Sequence, residues 1–242
     1  MSLEVAVADL APLMLRRKML LIGEPSGTTE FPALVLQVVN QVLEANIEVI
    51  VGLEIPMTDE VELGPVGPFW HRGAEFQDGR SSKAMANLVG ELASLRENGS
   101  AVQTVAMDGP WVAPGAPLPD EHGELLGQPR DQLMATNLLA AVDQSPRAFV
   151  ISMAGSIHTS THAVAWRTFG SILLPWFPAM VSLLGQLTGG TRWVLAPDGS
   201  EGGIVDVPDL DLPAGALWGD EPGADGHHGY VNVGPVTASP PA

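Results

Sequence analysis

Polar side chains suited to acid–base or ligand chemistry stand directly after the apolar runs of this sequence. These residues are Glu24, Ser26, Glu54, Asp108, His158 and His162. If each apolar run is a strand of a parallel sheet, the residues meet where the strands end, and such sheets bind ligands there. We therefore expect a ligand site at the carboxyl ends of the strands.

Glu54 is the carboxylate with the strongest requirement for a partner. It follows an apolar run, and a carboxylate at the end of a buried strand must be paired, liganded or protonated. A structural ion pair with Arg130 or Arg80 would satisfy it without any chemistry. Arg130 and Asp131 open a predicted helix, where the helix dipole favours Asp131 and Arg130 can point at an anion.

The two histidines of GSIHTSTH stand four positions apart. On a helix, His158 and His162 would share one face and, with Glu54, could bind a metal. The alternative is a pair of partly exposed polar histidines. The polar loop after the first apolar run, which contains Ser26, also has an alternative interpretation as an ordinary helix cap. Thr28 or Thr29 before an apolar helix is what helix capping alone requires.

Composition excludes several classes of protein. The 242 residues carry a formal net charge of -17, which repels phosphate backbones, so we expect no nucleic-acid partner. There is no cysteine, so a metal would have to bind His, Asp or Glu. The uncharged stretch 168–191 approaches membrane-span length, but prolines interrupt it, and we expect a bent, buried helix there and no stable membrane span.

Apolar runs that alternate with helical periodicity predict an α/β fold, with a central, largely parallel sheet and helices on both faces. The predicted strands are 19–22, 47–53, 101–107, 149–154, 192–196 and 229–233. The predicted helices are 30–45, 81–97, 129–144 and a broken one at 172–187. We expect one α/β domain over 1–242, with a Pro/Gly-rich loop at 109–129 and an acidic, loop-rich tail at 197–228.

Six segments together, by their order and spacing, resemble a known superfamily. They are LIGEPSGTTEFPALV, VIVGLEIP, QDGRSSKAM, PRDQLMATNL, SMAGSIH and GYVNVGPVTASPPA. This superfamily groups the ChaN-like haem-binding uptake proteins, the Tiki and TraB metalloprotease-like proteins and the erythromycin esterases. The resemblance implies an α/β fold whose site has two Gly-x-x-His motifs at strand ends, a glutamate after the second strand and an arginine. Gly155 and His158 match the second motif, Glu54 the glutamate and Arg130 the arginine.

The first motif departs from the superfamily pattern, because Gly23-Glu24-Pro25-Ser26 has serine where the pattern has histidine. A hydroxyl is a poorer metal ligand than imidazole. Three interpretations stay open: a catalytically silent binder, a replacement within an otherwise retained hydrolase, or Ser26 as nucleophile with His158 and Glu54 as its base and orienter.

The resemblance and the residues together predict a hydrolase of an ester or amide bond in a small molecule or peptide. Glu24 and Glu54 would activate or orient water, His158 would act as acid–base or ligand, and Arg130 would stabilise negative charge. The alternative is a non-catalytic haem- or small-ligand-binding protein. Its apolar pocket would be lined by Trp70, His71, Trp166, Trp176 and Phe177.

Several properties stay open at this stage. Either a divalent metal or haem is compatible with the resemblance as cofactor. The sequence does not set the oligomeric state. A cytoplasmic location is expected if the N-terminus is native, and a periplasmic or exported one if a signal was removed.

Overall fold

A computed structural model describes residues 2–56, 64–65, 68–71, 79–109, 128–163, 166–195 and 202–242. The strands are β1 (Met19–Glu24), β2 (Val49–Pro56), β3 (Val102–Asp108), β4 (Phe149–Gly155), β5 (Val181–Gln186), β6 (Thr191–Leu195), β7 (Gly202–Asp206), β8 (Gly215–Trp218) and β9 (Gly229–Asn232). The helices are α1 (Ser2–Arg16), α2 (Glu30–Glu44), α3 (Pro68–His71), α4 (Lys83–Glu97), α5 (Gln128–Gln144), α6 (Ser156–Thr159) and α7 (Phe169–Leu173).

Seven of the strands form one sheet in the order β3-β2-β4-β1-β5-β9-β8. All neighbouring pairs are parallel except β8 with β9, which is antiparallel. The connection after β1 passes over β4 to reach β2, and the connection after β4 passes over β1 in the opposite direction to reach β5. The loops that follow β1 and β4 therefore diverge, and a crevice opens between these two strands at their carboxyl ends.

Two apolar cores cover the two faces of the sheet. One packs α1, α2 and α4 against it, with Phe31, Leu34 and Val38 of α2 fully buried at helical spacing. The other packs α5 and α7 against the opposite face, through residues such as Met134, Leu138 and Phe169. The predicted α/β class, with helices on both faces of a largely parallel sheet, is therefore confirmed.

The broken helix predicted at 172–187 is wrong in its second half. Phe169–Leu173 is helical, but Val181–Gln186 is β5 and pairs in parallel with β1. An uncharged, largely apolar stretch fits a buried strand as well as a buried helix, and the two prolines separate a helical part from an extended part. The stretch is only partly buried, since Trp176 is 67% exposed.

Three further regions bear on the sequence predictions: the start of the chain, the acidic tail and the Pro/Gly-rich loop. Helix α1 was not predicted, although Ala6, Leu10 and Leu13 form a buried stripe along it. The acidic tail contains β7 and β8, and residues 110–127 of the predicted Pro/Gly-rich loop lie outside the described residues. Among the helices described, none is long and apolar enough to cross a membrane.

Strands β6 and β7 form an antiparallel hairpin separate from the main sheet. Two backbone hydrogen bonds attach it: Thr191 N donates to Val236 O at 2.8 Å, and Trp193 N donates to Gly27 O at 2.9 Å. Gly27 has φ +85°, and a Cβ there would collide with the Trp193 carbonyl oxygen. A glycine is therefore required where the loop after β1 meets the hairpin.

Candidate functional site

A cavity of about 530 Å³ opens at the carboxyl ends of β1, β2, β4 and β5. It is lined by all five residues proposed from the sequence as catalytic: Glu24, Ser26, Glu54, Arg130 and His158. Arg80 and Arg192 also line it, so three guanidinium groups face the same space. The seven residues, which come from six separate segments of the chain, thus converge at the edge where parallel-sheet sites form.

Arg130 is the centre of a hydrogen-bonded network. Its Nε donates to Asp108 Oδ1 at 2.9 Å, and Nη2 donates to Asp108 Oδ2 at 2.7 Å, a bidentate pair. Nη2 also donates to Glu54 Oε1. Arg80 joins from the other side, with Nη1 2.8 Å from Asp108 Oδ2 and 3.8 Å from Glu54 Oε1.

Glu54 is thus paired with Arg130, one of the partners expected for a structural ion pair. Its second oxygen accepts a hydrogen bond from Gly155 N at 2.6 Å. Glu54 therefore links the ends of β2 and β4 and orients Arg130. Both of its oxygens are engaged, which leaves it less suited to act as a base than the sequence suggested.

The electrostatics of Asp108 and Arg130 follow from this pairing. Burial alone would raise the pKa of Asp108, but the hydrogen bond from Arg130 and the charges of Arg130 and Arg80 outweigh it and lower that pKa. Burial opposes the charge of Arg130 as well, yet Asp108 and Glu54 raise its pKa above the ordinary arginine value. Asp108 and Arg130 are therefore both charged at neutral pH.

His158 contacts the same network and a buried carboxylate. Its Nδ1 lies 2.9 Å from Asp131 Oδ1, and Arg130 Nη1 lies 3.1 Å from Nε2. A guanidinium donates hydrogen bonds and cannot accept them, so Nε2 must be the unprotonated nitrogen in this contact. Nδ1 then carries the proton and donates to Asp131, and the lone pair of Nε2 lies in the cavity wall.

Asp131 holds that imidazole from a fully buried position. Besides His158, it accepts hydrogen bonds from Phe169 N at 2.6 Å and from Trp166 Nε1 at 2.9 Å. Three donors satisfy a carboxylate that burial would otherwise penalise. Asp131 was seen in the sequence only as a favourable charge at the start of a helix, and its contact with His158 was missed.

Glu24 and Ser26 lie on the β1 side of the cavity. Glu24 is the last residue of β1 and is 8% exposed, and Ser26 follows in the loop before α2. Gly79 packs against this loop, where a Cβ would lie 2.7 Å from Gly27 N. Thr29 makes no side-chain capping hydrogen bond to α2, so capping does not explain the polar residues of this loop.

The proposed metal-ligand set of Glu54, His158 and His162 is not brought together. Helix α6 ends at Thr159, so His162 does not share a helix face with His158; it is exposed and outside the cavity lining. Glu54 is committed to Arg130 and Gly155, and His158 Nε2 faces the positive charge of Arg130. A divalent cation does not fit this arrangement, and no cluster of three or more His, Asp or Glu suited to a metal occurs among the residues described.

Of the residues suggested for a haem pocket, the four whose side chains the structure describes do not line this cavity. Trp70 is buried in the core against Phe69, Phe177 lies in the opposite core, Trp176 is exposed and Trp166 binds Asp131. The side chain of His71 lies outside the described residues. The cavity lining is charged instead of aromatic, which does not fit the flat apolar slot a porphyrin needs.

His227 lies next to Gly23 of the cavity lining, where a Cβ would be 3.4 Å from the His227 Nε2 atom. Its Nε2 is 3.2 Å from Thr159 Oγ1 at the end of α6, and only 5% of the residue is exposed. Burial lowers its pKa, even though the Asp225 carboxylate 3.7 Å from Nδ1 favours the charged form. The adjacent histidines of the sequence gave no indication of this position.

Comparisons with known proteins indicate the fold. No family model and no curated protein matches the sequence. Among solved structures, a Bacillus cereus protein aligns with a TM-score of 0.62 and 12% identity, over 99% of this chain and 94% of that one. A succinoglycan biosynthesis protein aligns with a TM-score of 0.55 and 10% identity, over 86% of this chain and 80% of that one.

The third similar structure is a histidine-to-asparagine mutant of the erythromycin esterase EreC in its open conformation. It aligns with a TM-score of 0.54 and 14% identity, over 82% of this chain and 78% of that one. At this level of identity the likeness concerns the fold alone. The resemblance noted in the sequence is therefore confirmed at the level of the fold: this chain has the α/β fold found in an erythromycin esterase.

Proposed function

We propose that this protein is a hydrolase that cleaves an ester or amide bond of a small molecule or peptide, with His158 as its general acid–base. The observation that carries the proposal is the Asp131–His158 pair. Asp131 fixes the Nδ1–H tautomer, so Nε2 is the basic nitrogen, and in the reaction its hydrogen bond from Arg130 Nη1 gives way to one from water.

The reaction follows from these groups. Nε2 takes a proton from a water molecule as the water oxygen bonds to the substrate carbonyl carbon, and the carbonyl electrons move to the oxygen. The guanidinium groups of Arg130 and Arg80 stabilise that oxyanion. When the intermediate collapses, the carbon–heteroatom bond breaks and the leaving group takes the proton from Nε2. The products are a carboxylic acid and an alcohol or amine.

The two glutamates have different parts in this proposal. Glu54 holds Arg130 and the β4 end in place, because both of its oxygens are engaged. Glu24 lines the cavity from β1 and is the carboxylate that would orient the water or the substrate. Glu24 and Glu54, which the sequence alone does not distinguish, therefore have different roles.

The proposal is tested with a panel of chromogenic esters and anilides. His158→Gln should lower kcat/KM by roughly 10²- to 10⁴-fold, the usual contribution of a general acid–base. His162→Gln removes a histidine that is exposed and outside the cavity, and should match wild type. If both variants keep the wild-type rate, or if wild type hydrolyses no member of the panel, the proposal is wrong.

Binding without catalysis is tested in the same preparation. Haem is added and the absorption spectrum is recorded. A Soret band shifted from that of free haem, in a protein that hydrolyses nothing in the panel, would support the haem-binding alternative and contradict the hydrolase. We expect no such band, because the cavity lining is charged.

A further inference from the structure

Arg192 is the third guanidinium of the cavity, and its environment differs from that of Arg80 and Arg130. It lies at the second position of β6 and is half-buried. Its side chain makes no hydrogen bond or ion pair within the described part of the chain. A half-buried cation without a partner in a cavity wall is positioned to bind an anion that enters the cavity.

The charges around the cavity support this interpretation. Arg80 and Arg130 form ion pairs with Asp108 and Glu54, and the proposed reaction assigns them to the carbonyl oxygen. Arg192 contacts neither of those carboxylates. The chain as a whole is strongly acidic, with 28 acidic and 11 basic residues, so a site for an anion needs a local cation that is not already paired.

The backbone fixes Arg192 in place. The residues on either side of it are anchored, Thr191 N to Val236 O and Trp193 N to Gly27 O. Arg192 itself is paired with Val205 across the hairpin. Alternate residues of a strand point to opposite sides, so Arg192 points away from Thr191 and Trp193 and towards the cavity.

From this arrangement we infer that the substrate is an anion, an ester or amide that carries a carboxylate apart from the scissile bond, and that Arg192 binds this carboxylate. The inference rests on the proposed hydrolase and names its substrate class. A guanidinium matches a carboxylate in a planar, two-pronged hydrogen-bonded pair. Arg192 is then a specificity-determining residue, while the Asp131–His158 pair acts at the carbonyl.

The test compares two esters that differ by one charge. 4-Nitrophenyl hydrogen adipate carries a free carboxylate too distant to attack its own ester readily, and methyl 4-nitrophenyl adipate is its neutral counterpart. Wild type should prefer the charged ester in kcat/KM. Arg192→Gln should reduce the ratio of charged to neutral kcat/KM by roughly 10- to 100-fold, the range for a lost charge-assisted hydrogen bond, and Arg192→Lys should restore part of it.

Arg147→Gln is the matched control, because Arg147 is exposed and lines a different cavity, at the amino ends of β1 and β4. It removes the same charge from the chain and should leave the ratio unchanged. Wild-type hydrolysis with no preference for the charged ester, or a ratio that Arg192→Gln does not alter, would overturn the inference and leave the hydrolase intact.

A binding measurement separates the two proposals if turnover is absent. Glutarate, a dicarboxylate that cannot be hydrolysed, is titrated calorimetrically into wild type and into Arg192→Gln. Binding that is lost only in Arg192→Gln supports the anion site even if no ester is cleaved, in which case the hydrolase proposal alone fails. If wild type does not bind glutarate, or if Arg192→Gln binds it equally well, the anion site is wrong.

Discussion

His158 Nδ1 lies 2.9 Å from a carboxylate oxygen of Asp131, which is fully buried. The two residues belong to α6 and to the first turn of α5, so their contact joins the segment after β4 to the start of another helix. Arg130 precedes Asp131 and contacts the other ring nitrogen of His158. Two consecutive residues of α5 thus fix both nitrogens of one imidazole at the cavity wall.

The acid stability of the protein should depend on Asp108. The pKa of Asp108 is lowered in the folded protein, so the unfolded chain binds its proton first as the pH falls. The stabilisation is fully present above the ordinary value near 3.8 and is lost as the pH falls from there through the folded pKa. Asp108→Asn should cost roughly 1–3 kcal/mol at pH 7, since it weakens a charged pair with Arg130.

Urea unfolding at pH 7 and at several values below pH 4 checks this prediction. Asp108→Asn should lose less further stability than wild type across the acidic range, because it has no carboxylate to protonate there. Equal slopes of unfolding free energy against pH in the two proteins would contradict the assigned pKa direction.

His227 should make the fold sensitive to milder acid. Burial lowers its pKa, so below its ordinary value of 6.5 the unfolded chain binds a proton that the folded one resists. Stability is therefore complete above that pH and falls as the pH decreases through it. His227→Gln should flatten the dependence of Tm on pH between about 7.5 and 5.5.

The control for His227 is His162→Gln, which removes an exposed histidine. It should leave the slope of Tm against pH unchanged. Burial also lowers the pKa of His228, so part of the slope should persist in His227→Gln. A slope identical to that of wild type in His227→Gln would show that the buried ring does not resist protonation.

Gly27 should be far less replaceable than another glycine with the same backbone conformation. Gly27 and Gly99 have φ of +85° and +86°, but a Cβ at Gly27 collides with the Trp193 carbonyl oxygen and one at Gly99 has nothing within 4 Å. Gly99→Ala should cost about 1–2 kcal/mol, the penalty for a left-handed residue. Gly27→Ala should cost clearly more in urea unfolding, because the β6–β7 hairpin must shift. Equal losses of unfolding free energy in the two variants would show that the loop after β1 can shift at no cost.

The variant Ser26→Ala distinguishes a mechanism in which His158 activates water from one in which Ser26 is the nucleophile. With His158 acting on water, Ser26→Ala should keep kcat/KM within roughly tenfold of wild type, and a serine-directed phosphonate should not label the protein. With Ser26 as nucleophile, alanine would abolish turnover and the phosphonate would label Ser26. Mass spectrometry of the treated protein, together with the rate of Ser26→Ala, distinguishes the two.

A second substitution asks whether the serine of the first motif is the reason that the described residues of the cavity form no metal site. Ser26→His should not create tight binding of a divalent cation, because Arg130 and the paired Glu54 remain where the other ligands would be. Zinc binding measured calorimetrically checks this. Strong binding in Ser26→His, absent in wild type, would show that the missing imidazole is what keeps metal out.

Much of the fold was predictable from the sequence, because buried strands and amphipathic helices leave distinct periodicities. The first four strands and the helices at 30–44, 83–97 and 128–144 were all predicted, with ends displaced by at most three residues. Strand β5 was not, because an apolar run of six residues fits either state. Its identity depends on β1, which offers an unpaired edge that only the folded sheet reveals.

The candidate site, like the fold, was predictable from the sequence only in part. Strand ends indicated Glu24, Glu54 and His158, since polar residues after apolar runs are visible in any sequence. The partner of His158 was not visible, because Asp131 has an ordinary place in the first turn of a helix. The pairing of His158 with His162 failed because it assumed a helix that continues past Thr159. Contacts between distant segments depend on packing that local patterns do not contain.

The role of Asp131 in orienting His158 is tested by one comparison. Asp131→Asn disturbs the acceptor of the Nδ1 proton, while Trp166→Phe removes another donor to the same carboxylate and leaves His158 paired. For an ester that wild type hydrolyses, Asp131→Asn should lower kcat on the order of 10²-fold or more, and Trp166→Phe should lower it far less. Equal kcat values in the two folded variants would contradict the account, because they would show that the imidazole needs no orienting carboxylate.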